Sequence, residues 1–337
     1  MRGQSVRGWL TVALVGALAA QTFAQDWDSV PLIKHSTYQA VNPNGTSAYS
    51  GGFPIRLRGV VIANTEDWLD PTPAYTPTYQ PWNLGGQAEL IVQAIDPDDF
   101  GGTYCWMGQN YGNVPWHADP SWNYTNAQWT AELGRLGLYG GDGVVRPIRR
   151  GDLVEVRARV GLFYGGKMNV NEAHDPSPSK DFEVVLLQEN YGMPAPAVLS
   201  LSDLKDSSDA FMFDASRATG PEHYHGMLVT IRNVRLTAGT IGNWGRNATL
   251  MLEDSTGRTL PVRLGNNPAF ASSVPPADWF DVTGAFDQND STVPHDSGYR
   301  LLAMSPDDFV VVPEPSALVL AGAVFALAMR RRGAGRR

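Results

Sequence analysis

Cysteine is nearly absent from this 337-residue chain, in which Cys105 is the only one. No internal disulfide can therefore form, and stability has to come from a packed hydrophobic core. The hydrophobic content of 43% is sufficient for such a core, and the 35 glycines and 24 prolines favour a loop-rich β protein.

The sequence also lacks the common catalytic motifs. It contains no G-x-S-x-G elbow, no H-E-x-x-H pair, no P-loop and no Rossmann fingerprint. A glycoside hydrolase would need two carboxylates roughly 5–10 Å apart, and nothing selects two of the 34 acidic residues. We therefore expect a non-catalytic protein without a cofactor, and we keep a hydrolase with an unrecognised carboxylate or metal site as the alternative.

Basic residues are few once the two ends of the chain are set aside. Seven of the 26 lie at Arg2, at Arg7 and beyond residue 329, which leaves 19 basic against 34 acidic residues. Nucleic acid is not expected as a partner, because its binding depends on Lys and Arg displacing counterions from phosphates. The only local basic concentration is formed by Arg146, Arg149, Arg150, Arg157 and Arg159.

The first 24 residues have the pattern of an export signal. A charged region, a short apolar region and an A-x-A-like site are typical of a secretory signal peptide. These parts are Arg2 and Arg7, the apolar stretch 9–20, and the small residues Thr22 and Ala24. We predict a signal peptide over residues 1–24, cut before Gln25, with an uncleaved anchor as the alternative.

Residues 312–337 contain a second hydrophobic segment. The apolar run 317–329 would span about 20 Å as a helix, which is short of the roughly 30 Å hydrocarbon core of a bilayer. Because it is short, the run is typical of a transient anchor. The arginines that follow it are expected to stay in the cytoplasm. Around it lie Val312, Pro313, Glu314, Pro315, Ser316, Arg330, Arg331 and Arg332.

This arrangement resembles the PEP-CTERM sorting signal of bacteria with a Gram-negative-type envelope. The resemblance covers residues 312–337 only. It implies that a membrane protease, exosortase, recognises the Pro-Glu-Pro box and removes the helix. It also implies a transient anchor in the inner membrane through the C-terminal helix, followed by attachment at the outer surface or release. Such systems accompany exopolysaccharide, which the resemblance implies as a partner.

Strand signals divide the exported part into two halves. Each half offers about five strands and few helices, the number expected of a small Greek-key barrel. Segments 213–234, MLEDSTGRTLPVRLG and DVTGAFDQND of the second half resemble the OB-like domains of bacterial surface proteins. We predict an all-β fold of two tandem OB-like barrels, with an N-terminal signal helix and a C-terminal hydrophobic helix. A pair of β-sandwiches is the rival interpretation.

Three pairs of segments match between the halves, which indicates divergent copies. RLRGVVIAN matches MLVTIRNVR, AELIVQAIDPDD matches ATLMLEDSTG, and GDLVEVRARVGLF matches ADWFDVTGAFDQ. The predicted organisation is a lead-in (25–52), a first domain (53–190), a linker (191–220) and a second domain (221–311). The predicted strands lie within 55–64, 88–96, 151–173, 180–190, 226–237, 248–265, 278–290 and 298–312.

Aromatic side chains concentrate at residues 104–129. Sugar rings stack on flat aromatic faces, and the neighbouring Asn and Gln side chains suit hydrogen bonds to hydroxyl groups. We therefore predict a long loop insertion and favour a loop that buries its own aromatic side chains, with glycan binding as the functional hypothesis. The candidate ligand-binding residues are Trp106, Tyr111, Trp116, Trp122, Tyr124 and Trp129.

Two further patterns are weaker candidates for metal sites. His223 and His225 lie two residues apart, so a strand would place both on one face as zinc ligands, but no third ligand is indicated. The acidic turns at 96–102 and 287–290 contain carboxylates of the kind that bind calcium. For both patterns we favour ordinary surface residues, and we expect no metal.

The sequence thus predicts an exported, non-catalytic protein of the cell surface or extracellular matrix that binds exopolysaccharide. An extracellular hydrolase and an OB-type nucleic-acid-binding module are the alternatives, since a fold does not determine a function. A hydrolase would bring carboxylates or a metal together in one cleft, and a nucleic-acid module would need a basic groove.

Overall fold

The computed structural model describes residues 25–65, 86–113, 117–138 and 146–312. The predicted signal peptide and residues 313–337 of the predicted sorting signal lie outside these ranges, as does Trp116. Within them the fold is mostly β, with two seven-stranded sheets and a few short helices. None of the helices in these ranges is long and apolar enough to span a bilayer.

The first sheet has the strand order β5-β6-β3-β2-β1-β4-β7. Only β3 and β6 run parallel, and the other neighbouring pairs are antiparallel. Two residues separate the end of β4 from the start of β5. The chain therefore passes directly from β4, the next-to-last strand in this order, to β5, the first. The strands are β1 (Ile55–Val61), β2 (Gln87–Ala94), β3 (Gly102–Gly108), β4 (Leu153–Ala158), β5 (Gly161–Tyr164), β6 (Lys167–Asn171) and β7 (Phe182–Gln188).

Alternation of apolar and polar residues explains the pairing of β1 with β4. Leu57 and its partner Val156 are both buried, whereas Arg56 and Arg58 point to the other face. Two glycines form the turn between β5 and β6. Gly165 and Gly166 both have positive φ, at 65° and 88°, as a two-residue hairpin turn requires.

The second sheet contains a closed five-stranded β-barrel. Its order is β14-β12-β13-β11-β10-β9-β8, and an additional pairing of β12 with β9 closes the ring β9-β10-β11-β13-β12. β10 and β11 form an antiparallel hairpin within the predicted strand region 248–265. The strands are β8 (Ala197–Leu199), β9 (Leu228–Leu236), β10 (Thr249–Glu253), β11 (Thr259–Leu264), β12 (Phe280–Gln288), β13 (Tyr299–Ala303) and β14 (Phe309–Val311).

The helices are short and lie before or between the strands. In the predicted linker, a 3₁₀ helix at Leu201–Asp203 begins at the N-cap Ser200. The α-helices are α1 (His35–Tyr38), α2 (Asn126–Arg135), α3 (Gly220–Tyr224) and α4 (Ala269–Ser272). The other 3₁₀ helices are Trp27–Ser29, Tyr111–Asn113, Pro120–Trp122, Ile241–Asn243 and Pro306–Asp308.

The two sheets pack directly against each other. The Tyr104 hydroxyl donates a hydrogen bond to the carbonyl oxygen of Phe286 at 3.0 Å, across the interface. The backbones approach so closely that a Cβ atom at Gly102 would collide with the carbonyl oxygen of Gly226. The buried apolar contact consists of Ile62, Ala63, Ile91, Tyr104, Leu228, Ala285, Leu302 and Met304.

Two elements lie where the sequence predicted a long aromatic loop, and this part of the prediction is wrong. Residues 102–108 form β3 in the middle of the first sheet, and α2 begins at Asn126. β3 lacks polar alternation because one face packs on the core through Cys105 while the other meets the second sheet through Tyr104. Burial on both faces therefore concealed the strand.

Candidate functional site

The structure divides the candidate ligand-binding aromatics into buried and partly exposed groups. Trp129 and Tyr111 are 0% and 1% exposed, and Tyr124 is 5% exposed, so these three side chains belong to the first core. Trp106 and Trp122 are partly exposed and pack against that core. Only these two of the described candidates present indole surface to solvent.

Aromatic rings form a continuous series beneath this surface. Ring centroids are 5.9 Å apart between Trp106 and Tyr111, 6.1 Å between Tyr111 and Tyr124, and 6.2 Å between Tyr124 and Trp129. All three contacts are tilted, within the range that favours aromatic pairs. The buried rings thus support Trp106 from below.

Local sequence explains how the segment 109–129 is held. The main-chain N–H of Tyr124 donates to the carbonyl of Gln109 at 2.8 Å, which brings the two ends of the loop together. Thr125 and Gln128 then form a capping box that starts α2. At Gly108, a Cβ atom would lie 2.6 Å from the Trp106 ring, so glycine leaves the space that the indole occupies.

A buried carboxyl group, Glu172, organises the inner side of the cluster. It follows β6, is 0% exposed, and accepts hydrogen bonds from the Tyr111 and Tyr124 hydroxyls at 2.8 and 3.0 Å, both to Oε2. The other oxygen, Oε1, is buried and has no hydrogen-bond partner among the described residues. Burial raises the pKa of Glu172 to about 7, against the lowering effect of the two tyrosine hydroxyls.

Two more carboxyl groups approach Glu172. Carboxylate oxygens of Glu132, Glu172 and Asp181 lie within 4.8 Å of one another. The guanidinium of Arg135 donates to Glu132 at 2.7 Å, and lies 3.8 Å from both Glu172 and Asp181. Burial raises the pKa of Asp181. Three acidic groups therefore lie within 4 Å of one guanidinium, which is hydrogen-bonded to Glu132 but not to Glu172 or Asp181.

Each of the two partly exposed tryptophans packs against a histidine ring. His117 stacks on Trp122 with centroids 4.2 Å apart, and His174 makes an edge contact with Trp106 at 5.5 Å. Burial, together with the charge of His117, lowers the pKa of His174. His174 is therefore neutral at pH 7, in a form that can both donate and accept hydrogen bonds.

Sequence reasoning missed the acidic members of this site. Glu132, Glu172 and Asp181 are far apart in the chain, and no spacing rule connects them. The capping box at Thr125 and Gln128 was a visible signal for α2, and a helix beginning there would have placed Glu132 and Arg135 three residues apart on one face. Nothing in the sequence indicated Glu172.

The predicted strand position of His223 and His225 is wrong. His223 lies in α3 and His225 just beyond it. Their rings meet different neighbours, since His223 stacks on Phe100 at 4.6 Å and His225 on Tyr104 at 5.5 Å. No group of three metal-ligating side chains includes either histidine among the described residues.

The acidic turns hold their carboxylates in internal hydrogen bonds. Asp99 accepts from the backbone N–H groups of His35 and Ser36 at 2.8 and 2.9 Å. Asp290 accepts from Thr292 and Ser297. Asp99 and Asp290 therefore stabilise the conformation of their loops.

The basic concentration is largely paired with carboxylates. Arg146 donates to Asp152 at 2.7 Å, Arg157 to Glu155 at 2.9 Å, and Arg159 to Glu183 at 2.7 Å. Arg157 on β4, and Arg159 just after β4, therefore belong to one ion-paired face of the sheet.

Cys105 is 1% exposed, and burial raises the pKa of its thiol, which disfavours the reactive thiolate.

Comparisons of the chain with protein-family models and with curated proteins found no match.

Proposed function

We propose that the protein is an exported component of the cell surface or extracellular matrix that binds polysaccharide. One observation carries the binding role: Trp106 and Trp122 are partly exposed, and each indole packs against an imidazole, that of His174 and that of His117 respectively. Partly exposed indoles suit the C–H faces of sugar rings. The imidazole of His174, whose pKa is lowered by burial, suits hydroxyl groups, which both donate and accept hydrogen bonds.

The export route is proposed from the two ends of the chain. The signal peptide over 1–24 would direct secretion, and the Pro-Glu-Pro box at Pro313–Pro315 would be recognised by an exosortase-type protease. The apolar run 317–329 would hold the chain in the inner membrane until processing. The mature protein would then be attached at the outer surface or released.

For the fold, we propose that both sheets are OB-like barrels related by duplication. The parallel pair β11–β13 within the ring β9-β10-β11-β13-β12 has a counterpart in the parallel pair β3–β6 of the first sheet. In the first sheet, β4 continues almost directly into β5. This continuous segment would close the ring β5-β6-β3-β2-β1-β4 through the main chain, without pairing between β4 and β5. The three matching sequence pairs align β1 with β9, β2 with β10, and β4 with β12, which supports the duplication.

A hydrolytic role is not proposed. Carboxylates do converge at Glu172, but this residue is 0% exposed and one of its oxygens is occupied by two tyrosine hydroxyls. A glycosidase acid must reach the glycosidic oxygen of its substrate. The buried position of Glu172 therefore favours a structural or ion-binding role over contact with a sugar.

The binding role is tested by titrating the purified protein with the extracellular polysaccharide of its own host, following tryptophan fluorescence. We expect a saturable shift, and at least tenfold weaker binding for Trp122→Ala. Trp279→Ala is the matched control, because Trp279 is also partly exposed but lies in the second sheet domain, beside Arg235. Absence of a shift, or equal effects of the two substitutions, would contradict the proposal.

A further inference from the structure

The acidic group around Glu172 has a geometry of its own. Glu132 lies on α2, whereas Glu172 and Asp181 lie at the two ends of the connection between β6 and β7, so two segments contribute the three carboxylates. It is the one such group of three potential metal ligands found in the described part of the chain. The ligand atoms are within 4.8 Å of one another. Oxygens that share a calcium ion at 2.3–2.6 Å are at most about 5 Å apart, so this spacing is compatible with a single ion.

The positive charge at this group does not balance the negative charge. Arg135 is hydrogen-bonded to Glu132, and its Nη1 donates to the carbonyl of Phe182 at 2.5 Å. Its distances of 3.8 Å to Glu172 and Asp181 exceed hydrogen-bond length. Arg159 donates to Glu183 and to the main chain of Asp181. Two carboxylates therefore lack a hydrogen-bonded cation.

The second, independent sign of a ligand is the unpartnered oxygen of Glu172. Tyr111 and Tyr124 hold Oε2, which orients the carboxyl group. Oε1 is left buried without a hydrogen bond, on the side that faces Arg135. Buried polar atoms in folded proteins are almost always satisfied. A cation supplied from solvent would satisfy this one.

We propose that Glu132, Glu172 and Asp181 bind one divalent cation of the hard, oxygen-preferring class, with Ca²⁺ as the best fit. Calcium accepts carboxylates in mono- or bidentate form and completes its shell with water, which suits three carboxylates in an irregular arrangement. Binding moves the Arg135 guanidinium off Glu132. The ion then joins α2 to the segment between β6 and β7, independently of any polysaccharide.

Calorimetric titration of the EDTA-treated full chain with CaCl₂ tests this site. We expect one ion per chain and a rise in the melting temperature. We also expect Glu172→Gln and Asp181→Asn each to weaken binding at least tenfold. Glu189→Gln is the control, because Glu189 is exposed and lies outside the group. Asp181→Asn serves where Glu172→Gln does not fold, since the Asp181 side chain is 14% exposed.

Three results would overturn the inference. One is the absence of calcium binding by the folded chain. Another is binding that Glu189→Gln weakens as much as Asp181→Asn does. The third is selective uptake of Zn²⁺ in place of Ca²⁺ at the same site, which would contradict the proposed class of ion.

Discussion

The contact between the two sheets includes a buried ion pair, and its removal should lower stability measurably. The Lys167 ammonium donates to Asp287 Oδ1 at 2.7 Å and also to the carbonyl of Gln288. Both side chains are almost fully buried, at 8% and 2% exposure. The ammonium also lies 4.8 Å from the centroid of the Tyr104 ring. Lys167→Met keeps most of the side-chain volume and removes the charge.

The expected cost follows from the partners that remain. Breaking a buried ion pair costs about 3–5 kcal/mol, because an uncompensated charge is left behind. Arg300 keeps two contacts of 2.7 Å with Asp287 Oδ2, so the aspartate stays partly compensated. We therefore expect the lower end of that range, about 3 kcal/mol, for Lys167→Met.

Urea unfolding at pH 7, followed by tryptophan fluorescence, measures this loss. Lys205→Met is the matched control, because Lys205 is equally buried and pairs with Asp209 at 2.7 Å within the second sheet domain. The Asp209 side chain is 36% exposed, so water replaces the lost partner, and we expect a loss of at most about 1 kcal/mol. Equal losses for both variants would refute the reasoning from burial.

The pH dependence of the same pair has a defined sign. Burial raises the pKa of Asp287, but Lys167 and Arg300 outweigh burial and hold the pKa well below its ordinary value of 3.8. The stabilisation is therefore complete above about pH 4 and is lost as pH falls through the folded-state pKa. Lys167→Met should lose less stability than the wild type between pH 5 and pH 2.

Two other predictions concern the aromatic core and the sorting signal. Trp129→Ala should destabilise the protein by about 3–5 kcal/mol in the same urea assay, because the indole is 0% exposed. A loss of stability below about 1 kcal/mol would place Trp129 outside the core. Replacing Glu314 by alanine in the native host should leave the C-terminal run attached, so that mass spectrometry finds a heavier, membrane-retained chain. Normal processing of that variant would contradict the proposed recognition of the Pro-Glu-Pro box.

Much of the strand pattern could be predicted from local sequence. β1 and β4 alternate because one face packs on the core and the other meets solvent, as Leu57 and Arg58 illustrate. Gly165 and Gly166 mark a tight turn because both need positive φ. β3 escaped prediction because its alternation is erased where Tyr104 contacts the second sheet.

The candidate site was predictable only in part. Aromatic density directed attention to 104–129, but composition did not distinguish the buried Trp129 from the partly exposed Trp122. That difference depends on which face of each element packs inward. The acidic partner of the buried tyrosines, Glu172, could not be found from spacing, because the contact joins residues 48 and 61 positions apart.

The sequence by itself determined the positions of most strands, the net acidity, the lack of a disulfide and the proposed export signals. These properties depend on composition and on patterns a few residues long. Only the tertiary structure decided that β3 is covered on both faces, and that Glu132, Glu172 and Asp181 meet around Arg135. Both outcomes depend on contacts between distant parts of the chain, which no local periodicity encodes.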